Sequence, residues 1–89
     1  MTKNERAYLE ANYKMYVDKA LAAKAKAQKN PDDKDLAARE RAHWNIVYGY
    51  AMAAVTVLSL TVEEDEAYVI VSAWRKEAMD EYERGVNDL

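Results

Sequence analysis

Between Ala42 and Val62 the chain runs for 21 residues without an Asp, Glu, Lys or Arg, although 33% of the whole is charged. An amphipathic surface helix keeps one polar face, so a helix that is apolar almost all round must be covered on nearly every side. The two segments that flank the run are the only parts of the chain able to cover it. That requirement points to helices packed on a central helix.

Composition agrees. A chain of 89 residues makes one domain, near the lower end of what builds an independent core. An apolar share of 51% argues against disorder, and two glycines with one proline leave few turns. With no cysteine there is no disulfide, no thiolate metal site and no Cys nucleophile. The opening Met-Thr-Lys-Asn-Glu-Arg is charged and leads into no apolar export segment, so a cytoplasmic protein is expected. The uncharged run is long enough to span a bilayer, but His43, Asn45, Tyr48, Gly49 and Tyr50 interrupt its first half. The strongly apolar part, Ala51 to Leu60, is too short, and no membrane span is expected.

Charge is unevenly placed. Residues 1–30 hold seven Lys/Arg against three acids, and residues 62–89 hold three against nine. The ends of the chain therefore attract one another, which favours packing the first helix beside the third.

Apolar residues at Leu9, Tyr13, Tyr16, Ala20, Ala23 and Ala27 recur in steps of three and four, the period of a helix over 3–29. Lys24, Lys26 and Lys29 sit in its last turns, where cations oppose the macrodipole. Asn30-Pro31-Asp32-Asp33 breaks it, and Asn30 or Asp33 can cap a second helix over 33–59. Thr61 to Glu64 fits a capping box for a third helix over 62–84, with Gly85 as its stop. The expectation is an all-α domain over residues 1–89: three long helices in an antiparallel up-down-up bundle. The alternative is a long helical hairpin completed by oligomerisation. The expected core comprises Leu9, Tyr13, Tyr16, Leu36, Ile46, Val47, Tyr50, Ala54, Val57, Val71, Trp74 and Ala78. Lys24, Lys26 and Lys29 would then share an end with Asp80, Glu81 and Glu83, and either pair with acids of the third helix or sit in solvent.

Catalytic chemistry finds little support. Glu40-Arg41-Ala42-His43 has the Glu-x-x-His spacing of di-iron bundles, but such sites need two copies and two further glutamates. In a hairpin turning at Pro31, Asp18 would lie near His43 and supply another carboxylate; the plainer expectation is a core-edge histidine beside a solvated Glu40. The run Glu63-Glu64-Asp65-Glu66 cannot converge on one cation, because successive helical positions point about 100° apart. No phosphate loop, nucleophile elbow or His pair is present. A non-enzymatic protein with no cofactor is expected. Lys14, Lys19, Lys24, Lys26 and Lys29 lie near tyrosines, but a pI of about 5.1 argues against direct nucleic-acid binding.

Aromatic choice is more informative. Seven Tyr, two Trp and no Phe give every ring a polar handle, the preference of half-wet interfaces. Tyr8, Trp44, Tyr48 and Tyr68 fall at or beyond the edges of the apolar stripes. These features lead to a protein-binding module, an inhibitor, adaptor or assembly factor of the small acidic kind that phages also encode. Its partner-binding residues are expected to be Glu63, Glu64, Asp65, Glu66, Tyr68, Glu77, Asp80, Glu81, Tyr82 and Glu83. One alternative is an acidic decoy that blocks a nucleic-acid groove on a partner. Another is an oligomeric metal-binding bundle using Glu40 and His43 with Asp18. A homodimer is expected, with Gly49 and Ala53 as its close-approach face.

Overall fold

Thr2 starts the first helix. Its Oγ1 accepts from the Glu5 amide at 3.1 Å, and its own amide donates to Glu5 Oε1 at 3.4 Å, a reciprocal capping box that satisfies two otherwise free donors. A computed structural model, describing residues 1–87, carries this helix as α1, Lys3–Lys29. Asn30 closes it by donating its side-chain amide to the Lys26 carbonyl at 3.1 Å. Asp33 opens α2, Lys34–Leu58, with Oδ1 accepting from the amides of Asp35 and Leu36.

The turn from α2 to α3 has neither Gly nor Pro. Hydroxyls end the helix instead: Ser59 Oγ donates to the Val55 carbonyl at 2.7 Å and Thr61 Oγ1 to the Leu58 carbonyl at 3.2 Å. Thr61 therefore caps the end of α2 and forms no box with Glu64, contrary to the sequence expectation. The third helix, α3, spans Glu64–Asn87, and Glu64, Asp65 and Glu66 load its first turn with the negative charge that the dipole favours. It passes through Gly85 without stopping there. A glycine ends a helix when the left-handed conformation is needed, and among the described residues none takes it.

The three helices form an antiparallel bundle measuring 45 × 28 × 19 Å, each in contact with both others. The extended hairpin does not occur, because α3 folds back onto α1 and α2. Tyr13, Val17, Ala20 and Leu21 of α1 meet Val47, Ala54, Val55 and Leu58 of α2 and Ala67, Val71, Trp74 and Ala78 of α3. The Tyr13 ring is the hub, with centroids 6.3 Å from Tyr50 and 6.5 Å from Trp74.

Two expected core residues lie elsewhere: Ile46 is 47% and Val57 41% exposed. Leu9, Tyr16, Leu36 and Tyr50 are only half-buried. Within the uncharged run every face is apolar, so periodicity does not select the face that turns inward. The neighbours select it, and they take the side of Val47, Ala54 and Leu58. Among the described residues no helix is long and apolar enough to cross a membrane.

Candidate interaction surfaces

The acids of α3 find almost no partners within the chain. Among the described residues the ion pairs are Lys14 with Glu77, at 2.8 Å, and Lys14 with Glu10, at 3.1 Å. Lys14 is thus the ionic link between α1 and α3. Its hydrogen bond to Glu77 above all holds the ammonium above the usual lysine range, against the opposing pull of partial burial.

Of the two uses open to Lys24, Lys26 and Lys29, the structure takes the solvent: all three are exposed, and among the described residues none pairs with Asp80, Glu81 or Glu83. Lys24 and Glu83 share one groove at that end of the bundle, but both stay in solvent without closing an ion pair. Glu81 instead acts on Asp18 of α1 through its charge. Partial burial first, and then the Glu81 charge, raise the Asp18 carboxyl above the ordinary carboxylate value, with Lys14 opposing. Glu63, Glu64, Asp65, Glu66, Asp80, Glu81 and Glu83 are all exposed.

The tyrosines expected to anchor a partner are set apart from one another. Tyr68 is 43% exposed, beside a groove of about 120 Å³ between α2 and α3 that Met52, Val55, Ser72 and Arg75 also line. Tyr82 is half-buried and packs with Leu21 and Met79 at the far end of α3. Tyr68 therefore has Glu64 and Asp65 beside it, four and three residues back on its own helix, while Glu77 turns toward Lys14 of α1.

Two contributors to this surface carried no distinct signal in the sequence. Val69, next to Tyr68, is 67% exposed and continues the apolar spot among the acids. Arg75 lays its guanidinium 5.5 Å from the centroid of Trp44 and 5.7 Å from that of Tyr48, a double cation–π contact that holds α3 to α2. The spacing of Trp44 and Tyr48, four apart on one helix face, was the available clue; a cation on a neighbouring helix cannot be read from it.

The metal constellation does not assemble. Glu40 is not simply solvated: its Oε2 accepts from the Trp44 indole at 3.1 Å. His43 lines a groove with Lys19, Lys26, Leu36 and Arg39, whereas Asp18 lies with Lys14 and Glu81 toward α3. The expected approach of Asp18 to His43 is thereby corrected. Lysine and arginine around an imidazole repel a divalent cation, and among the described residues no three His, Asp or Glu side chains gather as a metal site. The groove encloses about 240 Å³, below the roughly 300–1,000 Å³ usual for small-molecule sites.

Gly49 and Ala53 both lie exposed on α2. A Cβ added at Gly49 meets nothing within 4 Å. Comparison with family models, with curated proteins and with solved structures returned no match. The domain is small and all-α, and no catalytic or metal constellation is evident among its described residues.

Proposed function

We propose that this domain is a non-catalytic protein-binding module, an inhibitor, adaptor or assembly factor, that docks through α3 on a basic surface of another protein. The observation that supports it best is the idleness of the α3 acids. Had they served to hold α1, the lysines at its end would meet them, yet among the described residues only Glu77 pairs with α1, through Lys14 in the middle of that helix. An unpaired acidic rim around exposed Tyr68 and Val69 suits a partner with a basic rim and an apolar socket. In such interfaces charges chiefly speed association, while a buried aromatic slows release.

The test is capture from a lysate of the source cell with the intact domain as bait. It is repeated with Tyr68→Ala and with Asp65→Lys/Glu66→Lys/Asp80→Lys. For a partner so identified, the charge reversals are expected to slow association and Tyr68→Ala to hasten release. If both variants stay folded and keep wild-type kinetics, the docking assignment is wrong.

The same idle acids favour a second form of the activity, a decoy that occupies a nucleic-acid groove of the partner. A decoy loses affinity steeply with added salt, whereas a contact anchored by Tyr68 loses it mildly.

A further inference from the structure

We infer that the outer face of α2 is covered by a second copy of this chain, in an antiparallel, two-fold symmetric pairing centred between Gly49 and Ala53. This inference rests on the outer face of α2 and not on the docking proposed for α3, although the acids from Glu63 to Glu66 enter both. Six residues make the seam: Ala42, Ile46, Gly49, Ala53, Thr56 and Leu60, in strict steps of four and three. Those steps give the 3.5-residue period of helices that pack along their length. All six are exposed, and Leu60, just past the end of α2, is 82% so. The seam is about 27 Å long at 1.5 Å per residue.

Its sizes are self-complementary in one orientation only. With the two helices antiparallel, Gly49 meets Ala53 of the other copy, Ile46 meets Thr56, and Leu60 meets Ala42. Each large side chain then stands over a small one. The Thr56 hydroxyl is already spent on the Met52 carbonyl at 2.9 Å, which leaves its methyl as the seam surface. In a parallel pair Leu60 would abut Leu60, and Gly49 would face Gly49 across a gap.

Charge selects the same orientation. Arg39 and Arg41 flank one end of the seam, exposed and without an ion pair among the described residues. The acids from Glu63 to Glu66 follow the other end. Antiparallel pairing brings the arginines of each copy to the acids of the other, and parallel pairing stacks acids on acids.

Gly49 supplies the remaining argument. Glycine inside a helix is less stable than alanine, and a Cβ placed at Gly49 meets nothing within 4 Å, so no neighbour within the chain requires it there. Close approach of a second helix backbone gives it a use.

The experiment is sedimentation equilibrium on the full chain at high micromolar concentration, with Gly49→Leu as the blocking variant. The wild type is expected at about twice the chain mass of 10.2 kDa. Gly49→Leu is expected to keep its helix content and weaken the dimer about thirtyfold or more, as for loss of a central contact. Arg39→Glu should also weaken it, and Arg39→Glu with Glu63→Arg should regain it.

Because the chain lacks cysteine, orientation can be read by disulfide trapping. A mixture of Ala42→Cys and Leu60→Cys proteins should oxidise to the mixed disulfide. A wild-type monomer at every concentration, an unweakened Gly49→Leu dimer, or preferential Ala42→Cys self-disulfides would each overturn the proposal.

Discussion

α2 and α3 each leave one long face open, and the two faces could hardly differ more. That of α2 has no charge from Ala42 to Leu60, while that of α3 carries Asp65 and Glu66 near Tyr68 and Val69, and Lys76, Asp80 and Glu83 further along the helix. A charged face is at ease in water, whereas an apolar one gains free energy in proportion to the area that something covers. Openness therefore has two meanings within one small bundle. On α3 it can be a resting state, and on α2 it marks unfinished burial.

The largest effect that tests this contrast separates the two sides of α2 itself. Val47→Asp puts an unpaired charge in a fully buried position and is expected to unfold the domain, a cost of about 4 kcal/mol or more. Val57→Asp, which the uncharged run alone would rank as equally damaging, places its carboxylate on a partly exposed face and should cost the isolated fold no more than about 1 kcal/mol. Thermal melts followed by circular dichroism at low concentration measure both. Equal loss in the two variants would mean that Val57 is core and the outer face is misplaced.

Gly49→Ala comes next in size. At low concentration, where the chain is monomeric, it should raise stability by roughly 0.5–1 kcal/mol, because the new methyl meets no neighbour and the helix gains. A lower melting temperature under those conditions would show that something within the chain needs the glycine.

The helix content and its order were legible because their signals are local. Pro31 with its aspartates, the 3–4 stepping of α1 and the acid load at Glu64–Glu66 act within a turn or two, and α1 occupies the expected 3–29. Thr2-Lys3-Asn4-Glu5 is as plain a capping box as Thr61 to Glu64, and of the two it is the one that forms. At Thr61 the hydroxyl meets the carbonyl end of α2 first.

Burial was legible where polar residues mark the outside. Tyr13, Val71, Trp74 and Ala78 are buried as expected, since lysines and acids bracket them. In the uncharged run that bracket is missing, so Leu58 and Val55 could not be told from Val57 and Ile46. On α1 the stripe through Tyr16 and Ala23 follows the α2 side, and Val17 and Leu21, which complete the core, stand off it. Of the surface proposed for docking, the exposure of Tyr68 and of the acids was legible from composition. Their lack of partners was not, because ion pairing depends on how far the helices stand apart.

The smallest effect concerns what the acids of α3 do to the fold. Glu77 helps it: Glu77→Gln removes the partner of Lys14 and should cost up to about 1 kcal/mol, the range of exposed pairs, and less at high salt.

Glu81 should do the reverse, through Asp18. The Asp18 carboxyl titrates above its ordinary 3.8 in the folded chain, chiefly because it is partly buried and secondly because Glu81 repels it. The folded state thus holds this proton to higher pH than the unfolded state does. The ionised carboxylate is a cost to folding that is complete above the folded pKa and is relieved as pH falls through it. Asp18→Asn should accordingly melt slightly higher than the wild type at pH 7, by under about 0.5 kcal/mol, because the site is largely in solvent. That advantage should fade as pH falls toward the unfolded value. Glu81→Gln should give a smaller part of the same gain, because it removes the second cause and leaves the first. Were both variants less stable than the wild type at neutral pH, the α3 acids would be holding the bundle together. The contrast between an α3 face free for a partner and an α2 face in want of cover would then lose its first half.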